Sequence, residues 1–467
     1  MSDTLMVSVS GVRGLVGTDL TPEVVARWAA AFGAWANDGT ADGGKGKGKK
    51  RRVVLGRDAR TSGPMFARAA TAGLMSVGCE VIDVGLVPTP TVQLAVEHHR
   101  AAGGIILTAS HNPIEWNALK FVGPDGIFLD GVSGTRVREL AAGNSLQRAN
   151  YNAIGGSEAD SDAIRRHLAA VLALPGVDIR AIRRRRFRVA LDTVRGAGGT
   201  VMPELLERLG CRVAAINLQT DGLFPRPPEP IPEHLRALGA LVRRHKADLG
   251  IAVDPDVDRL AIVDERGRPI GEDYTLAFAV RAVLGGKPAG RKGTRTVVCN
   301  LSTSLVVEDA GREYGAELVR APVGEAHVAR KIVELGAVIG GEGNGGVMYP
   351  ALHVGRDAPL AATLVLALLA RERVTVSELV ARAPRYTIVK AKVPRGPRLE
   401  PVYEGLRRRF PDAAVDTQDG LRLAWADRWL HVRPSGTEPI IRLIAEAPSG
   451  AYAERLIEEG RRLCAAS

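Results

Sequence analysis

The stretch "GGIILTASHNPIEWNALK" covers residues 103–120. It begins as a short apolar run bounded by glycine and continues as a polar loop holding Ser110, His111, Asn112 and Pro113. An apolar run of this length reads as a buried strand. Twice more an apolar run ends in an unusual polar loop, in "ADLGIAVDPDVDRL" (247–260) and "GAVIGGEGNGG" (336–346). Each of the three is preceded by two further strand-like runs. The first of these opens with "RVVLGRDARTSG" (52–63), "RVALDTVRGAGG" (188–199) or "TVVCNLSTS" (296–304). The second lies in "SVGCEVIDVG" (76–85), "RLGCRVAAIN" (208–217) or "EYGAELVRAP" (313–322). Helix-like stretches separate them, so the pattern is a loose repeat of βαβ units with mixed, largely parallel sheets.

Three such units and a tail predict an α/β chain of four domains. The expected divisions are 1–155, 156–260, 261–375 and 376–467. In the last, "YTIVKAKVP", "GLRLAWADRWLHVRPSG" and "IIRLIAEA" predict a smaller antiparallel α+β domain closed by the helix "AYAERLIEEGRRLC". Ligands of open α/β sheets bind beyond the carboxyl ends of the strands. The polar loops all follow third strands, so they are expected to converge on one central cleft.

Composition excludes some classes and leaves others open. The chain has 467 residues, 45% hydrophobic and 25% charged, as in ordinary globular proteins. Its long apolar stretch "APLAATLVLALLA" (358–370) is too short to span a bilayer and reads as a buried helix. "MSDTLMVSVSG" has no charged region followed by an apolar one, so no signal peptide and no membrane association are expected. Cys79, Cys211, Cys299 and Cys464 are widely spaced and fit neither a disulfide nor a zinc framework, which points to the cytoplasm. The net charge of +11 draws on "KGKGKKRR" (45–52) and "RRRRFR" (183–188). Neither run interleaves aromatics and no nucleic-acid module is present, so no nucleic-acid partner is expected. Positive charge equally steers phosphorylated small molecules.

The loops carry the chemistry. In "DPDVDRL", Asp254, Asp256 and Asp258 alternate along what reads as an extended segment, which would lean all three carboxylates to one side. Carboxylates so close repel unless a cation holds them, and oxygen ligands suit Mg²⁺ or Ca²⁺. An EF-hand would need glycine where Arg259 stands; an acidic turn capped by backbone amides is the plainer alternative. "HVRPSGTEPIIR" (431–442) offers Arg433, Ser435, Gly436, Thr437 and Arg442 as a phosphate cradle, against a simple Pro–Gly turn. "GGEGNGG" exposes Glu342 and Asn344, a carboxylate beside an amide that suits sugar hydroxyls, or else forms a flexible hairpin. Ser110 lacks the glycines of a hydrolase elbow. It could cap a helix, but a phosphoryl group on Ser110 would complete the Mg²⁺ shell and fits the other loops better.

"TASHNP", "DPDVDR", "GEGNGG" and "RPSGTEP", in this order and spacing, resemble the four signature loops of the α-D-phosphohexomutases. "SVSGVRG", "GRDARTSG", "VGLVPTPT" and "FPRPPEP" resemble further landmarks, so the similarity covers essentially the whole chain. The resemblance implies four domains around a cleft and interconversion of hexose 6-phosphate and hexose 1-phosphate. It implies a phosphoserine at Ser110, Mg²⁺ on Asp254, Asp256 and Asp258, and hexose 1,6-bisphosphate as intermediate and activator. Arg259 would balance charge, His111 and Lys120 would serve proton transfer, and Glu342 would grip the sugar. Arg433, Ser435, Gly436 and Thr437 would hold the distal phosphate, and Arg13 and Arg57 would line the cleft. Many members carry GE-x-SGH in the sugar loop, where this chain has Asn344, Gly345 and Gly346. The loops look most similar to phosphoglucosamine mutase-like members. Alternatives are a phosphoglucomutase/phosphomannomutase of broad specificity, an inactive basic binding protein on the same fold, and a Mg²⁺-dependent phosphatase. The partner is a phosphorylated hexose, and the chain is expected to be a monomer or homodimer.

Overall fold

The computed structural model describes residues 5–8, 11–38, 51–143, 146–286, 295–394, 396, 398–435 and 440–465. Of the Gly/Lys-rich stretch 38–50, which reads as a peripheral insertion, only Asp38 is among them, and the expected phosphate ligands Gly436 and Thr437 lie outside them.

The first sheet contains β1 (Met6–Ser8), β2 (Gly11–Leu15), β3 (Arg52–Arg57), β4 (Glu80–Leu86), β5 (Gly103–Leu107), β6 (Trp116–Val122) and β7 (Ser157–Ala159). The second holds β8 (Arg188–Asp192), β9 (Arg212–Ile216), β10 (Leu249–Val253) and β11 (Leu260–Val263). The third holds β12 (Thr296–Asn300), β13 (Glu317–Ala321), β14 (Ile339–Glu342) and β15 (Gly346–Met348). A common motif runs through all three. The spatial orders β6-β5-β3-β4, β11-β10-β8-β9 and β15-β14-β12-β13 are the same arrangement. In each, three parallel strands are edged by an antiparallel fourth that returns directly from the functional loop. The predicted repeat is therefore present, and the first sheet extends it with β1, β2 and β7.

The divisions expected at 155/156 and 260/261 fall short of the sheet edges, and the one at 375/376 cuts off the helix Val376–Arg382, whose Val376 and Leu379 pack in the core of the second and third domains. β7 pairs with β4 of the first sheet, and β11 pairs with β10 of the second. The three-residue β7 carries little periodicity of its own, while "LAIVD" (260–264) reads as a strand but does not reveal which sheet it joins. The fourth sheet, β16 (Thr387–Pro394), β17 (Ala414–Asp416), β18 (Leu421–Ala424), β19 (Trp429–Pro434) and β20 (Ile440–Ala447), is antiparallel throughout, as expected. Helices Glu400–Arg409 and Gly450–Ala465 accompany it. The run at 358–370 forms the buried helix Ala358–Glu372.

One apolar core runs continuously through the second and third domains, while the first and fourth have cores of their own. At the junction of the first three domains lies a buried polar knot. His167 Nε2 and His353 Nε2 stand 2.8 and 3.0 Å from Asp357 Oδ2, and His167 Nδ1 is 2.8 Å from Thr91 Oγ1. Asp357 Oδ1 accepts the Leu360 amide at 2.8 Å, capping the helix Ala358–Glu372. Burial opposes the charge on Asp357, but His167 and His353 outweigh it and hold the carboxyl below its usual range. A depressed carboxylate contributes stability that is complete above its unfolded pKa, about 4, and is lost as pH falls below it. Asp357→Asn keeps a competent cap but removes the charge. It should cost about 2–3 kcal/mol at pH 7. The gap from the unchanged protein should close below about pH 4 in thermal melts.

Candidate active site

The loop after β5 turns through Ser110 in the left-handed region, φ 48°, and no helix begins there. This rules out the cap role and makes Ser110 a strained residue, held by its surroundings. The clamp is Arg60, fully buried. Its Nη2 donates to the carbonyls of Ser110 and Asn112, each at 2.7 Å. Its Nη1 donates to those of Pro113 (2.6 Å) and Trp116 (2.8 Å). Asp58 accepts from Arg60 Nε at 3.1 Å and from Thr108 Oγ1 at 2.7 Å, and Thr108 Oγ1 in turn accepts the Ser110 amide at 2.9 Å. One guanidinium thus satisfies four loop carbonyls that would otherwise be stranded away from water.

The acidic segment is a turn rather than the extended stretch expected. Val257 sits at φ 63°, its amide donates to Asp254 O, and the amides of Asp258 and Arg259 both donate to Asp254 Oδ1 at 3.2 Å. Curling, not alternation, brings the three carboxylates together. All are buried, with one oxygen from each within 4.8 Å of the others. Burial, then Asp258 and Asp256, push the Asp254 carboxyl well above the usual range. Asp256 goes the other way: burial resists its ionisation, but Lys120 Nζ at 2.8 Å and Thr89 Oγ1 at 2.9 Å more than compensate. Among the described residues, Asp256 Oδ1 and Asp258 Oδ1 are buried without a hydrogen-bond partner. Arg259 Nε lies 3.7 Å from Asp258 Oδ1, and two carboxylate oxygens without a hydrogen bond, beside a third acid, fit a hard divalent cation.

Ser110 Oγ donates to Asp254 Oδ2 at 3.0 Å, across 144 positions of chain. It also lies 3.3 Å from His111 Nδ1. Arg259, and then burial, hold the His111 imidazole well below its usual value, so it is neutral at pH 7. Glu229, from "FPRPPEP", accepts from Arg259 Nη1 at 3.1 Å and lies 3.8 Å from His111 Nε2. Arg13 Nη1 donates to Asn112 Oδ1 at 2.7 Å, whereas Arg57 turns to its neighbour's carbonyl, Asp58 O, at 3.2 Å.

The sugar loop is tied to the acidic loop by a residue the sequence did not single out. Arg356 donates to Asp258 Oδ2 (2.5 Å), Glu342 Oε2 (2.8 Å) and Glu325 Oε2 (3.0 Å). Burial works against its charge, yet these acids hold it firmly protonated. Glu342 also accepts from Asn300 (2.9 Å) and the Gly324 amide (3.1 Å), and more weakly from Asn344 at 3.4 Å. Gly345, at φ 87°, lets the loop approach so closely that a Cβ there would lie 2.4 Å from Leu260 O. In the last domain Arg433 and Arg442 are cross-strand neighbours, and Arg433 Nε donates to Asp419 Oδ2 at 2.7 Å. Asp419 reaches the third domain through the Val323 amide (3.2 Å), and His431 does so through Ser302 Oγ (2.8 Å). The Ser435 amide donates to Ile440 O at 2.8 Å.

A hydroxyl on a clamped loop, a buried acidic trio and cationic side chains around both are parts that phosphoryl transfer uses. Family comparison narrows the class. The four phosphoglucomutase/phosphomannomutase domain models match in order: the α/β/α domains I, II and III at 5–147, 165–267 and 271–386, and the C-terminal domain at 388–463. A phosphoglucomutase/phosphomannomutase of Thermococcus kodakarensis is 38% identical over 461 residues, 97% of each chain. A phosphoglucosamine/phosphogalactosamine mutase of Sulfurisphaera tokodaii is 33% identical over 459 residues, again 97% of each. Among solved structures, a phosphoglucomutase/phosphomannomutase family protein of Burkholderia thailandensis superposes with a TM-score of 0.83 at 27% identity, covering 98% of this chain and 97% of its own. The chain belongs to the phosphoglucomutase/phosphomannomutase family of α-D-phosphohexomutases, and it is an isomerase of that class.

Arg356→Ala should show how much the linkage matters. Without it, buried Asp258, Glu325 and Glu342 lose their counter-charge: Glu325, which burial already holds above its usual range, is pushed further up, and Glu342 rises from below that range to above it. Acids raised in this way stabilise the fold below about pH 4 and lose that contribution as pH climbs through the raised values. In metal-free buffer the variant should therefore be less stable by about 3–5 kcal/mol at pH 8. The deficit should be clearly smaller at pH 5.

Proposed function

We propose that the chain interconverts hexose 6-phosphate and hexose 1-phosphate through a phosphorylated Ser110 and a hexose 1,6-bisphosphate, with glucosamine phosphate preferred. The observation that carries the reading is the 3.0 Å approach of Ser110 Oγ to Asp254 within the acidic trio. The relatives named above support the mutase class, and one of them bears the amino-sugar name.

In the forward half-reaction the Oγ–P bond of phospho-Ser110 breaks as a bond forms from phosphorus to a free sugar hydroxyl. The hydroxyl proton passes to a base, the role we assign to His111, and a proton returns to the departing Ser110 Oγ, 3.3 Å from His111 Nδ1. The bisphosphate turns over in the cleft, and Ser110 Oγ then takes the other phosphoryl group. Arg259, Lys120 and Arg13 supply positive charge around the transferring oxygens. Arg433, Ser435, Gly436, Thr437 and Arg442 hold the phosphate that is not being transferred. Glu342 and Asn344 meet the sugar hydroxyls, and their 3.4 Å contact is the weakest in that cluster and the one a hydroxyl displaces. Asp254, Asp256 and Asp258 would hold Mg²⁺, which when bound adds charge neutralisation at the phosphoryl oxygens. The bisphosphate would also act as activator by rephosphorylating Ser110.

We place the enzyme in the cytosol, in keeping with four free cysteines. Among the described residues no helix is long and apolar enough to cross a membrane.

Intact-mass analysis after incubation with glucose 1,6-bisphosphate should show one added phosphoryl group, absent in Ser110→Ala. The same variant should lose about a thousandfold or more in kcat/KM. Full activity without the hydroxyl would overturn the phosphoserine route. Comparing kcat/KM on glucosamine, glucose and mannose 6-phosphates tests the preference: glucosamine 6-phosphate should lead, and equal values would replace it by the broad-specificity reading.

A further inference from the structure

The basic run "RRRRFR" takes no part in the catalytic loops, and the structure gives it another setting. A cavity of about 390 Å³ opens on the second domain where it meets the third. Arg185, Arg188, Arg243 and Lys246 line one side, and Leu369 and the segment 374–376 line the other. It lies at the opposite end of the sheet from the active site. Arg188 begins β8, whose last residue, Asp192, accepts from Arg226 of the "FPRPPEP" loop. Asp248 likewise precedes β10, and the acidic turn at Asp254 follows it. Five strand residues span about 17 Å, so the two sites are distinct.

The cavity's charge is unbalanced. Its two acids are engaged locally. Asp248 Oδ2 accepts the Arg188 amide at 2.7 Å, and Glu265 accepts from Ser377 Oγ at 2.5 Å and from the Ser377 amide at 3.2 Å. The second of these pairs also bridges the two domains across the cavity edge. Arg185 is seated over the Phe187 ring at 5.3 Å, and Arg243 Nη1 donates to Gly267 O at 3.3 Å. Among the described residues, neither these two nor Lys246 has a carboxylate partner. Cations at helix C-termini are ordinary, since they answer the negative end of the dipole. Here, however, two helix ends (Ile179–Arg185 and Arg236–His245) and the start of a strand turn their cations onto one hollow. The four cations are solvent-exposed, so water and salt screen their mutual repulsion in part, and an anion in the hollow relieves what remains. Guanidinium forks match phosphate oxygens, several cations suit more than one phosphate, and the volume is that of a small-molecule site.

We propose that this cavity is a binding site for a small molecule bearing two or three linked phosphates, separate from the catalytic cleft and gripped by the second and third domains together. The proposal does not depend on which hexose the enzyme prefers.

Hydrogen–deuterium exchange on the full chain, without added divalent cation and at about 0.15 M salt to screen diffuse attraction, reads the site directly. Inorganic tripolyphosphate should protect segments 183–188, 243–248 and 374–377. Arg185→Ser/Lys246→Ser should abolish that protection and weaken binding by about tenfold or more. Arg407→Ser/Arg408→Ser, which removes the same charge from an exposed helix of the last domain, should leave it intact. A parallel ATP arm tells a free phosphate chain from a nucleotide, and protection by either one supports the site. No protection, protection confined to the catalytic loops, or equal loss in both double variants would overturn it.

Discussion

Three buried carboxylates within 4.8 Å of one another repel strongly, and much of the surrounding structure exists to hold them there. Lys120 and Thr89 of the first domain bind Asp256, Arg356 of the third binds Asp258, and backbone amides of the turn itself bind Asp254 Oδ1. Three domains thus meet on one acidic loop. The compensation is incomplete: burial and the neighbouring acids hold the Asp254 carboxyl above its usual range, and among the described residues two oxygens lack a hydrogen-bond partner. That residual deficit is what a divalent cation and a phosphoryl group on Ser110 would fill. It is also why the site can be read as chemistry rather than as an acidic turn.

The repeated sheet explains how such a site arises. In each of the first three domains the functional loop joins the third parallel strand to an antiparallel partner. The loop is therefore short, anchored at both ends, and able to carry strained residues such as Ser110 and Val257. Two buried arginines finish the work. Arg60 fixes the shape of the serine loop from within its own domain, and Arg356 couples the acidic loop to the sugar loop across domains. The last domain touches this frame through Asp419 and His431, both at the mouth of the third sheet.

Much of this was legible in the sequence, and the reason is physical. Strand-length apolar runs at matching intervals specify the sheets, and loops that break ordinary composition, such as "TASHNP" and "DPDVDR", stand out against them. What sequence hides is partnership. Arg60 and Arg57 sit in the same "GRDARTSG", and only the fold shows that Arg60 turns inward to four carbonyls while Arg57 does not. Arg356 follows an unremarkable "HVG", and its three acids lie 98, 31 and 14 positions away. Glu229 lies within "FPRPPEP", and only the fold brings it beside Arg259 and His111. Alternation along "DPDVDR" predicts carboxylates on one side, but a positive φ at Val257, which alternation cannot foresee, is what gathers them.

Phosphorus NMR with a paramagnetic cation tests most directly whether Ser110 and the acidic trio form one centre. With Mn²⁺ added to the phosphorylated enzyme, the phosphoserine resonance should broaden beyond detection, and it should stay sharp in Asp256→Asn/Asp258→Asn. A resonance that remains sharp in the unaltered enzyme at stoichiometric Mn²⁺ would contradict the shared centre.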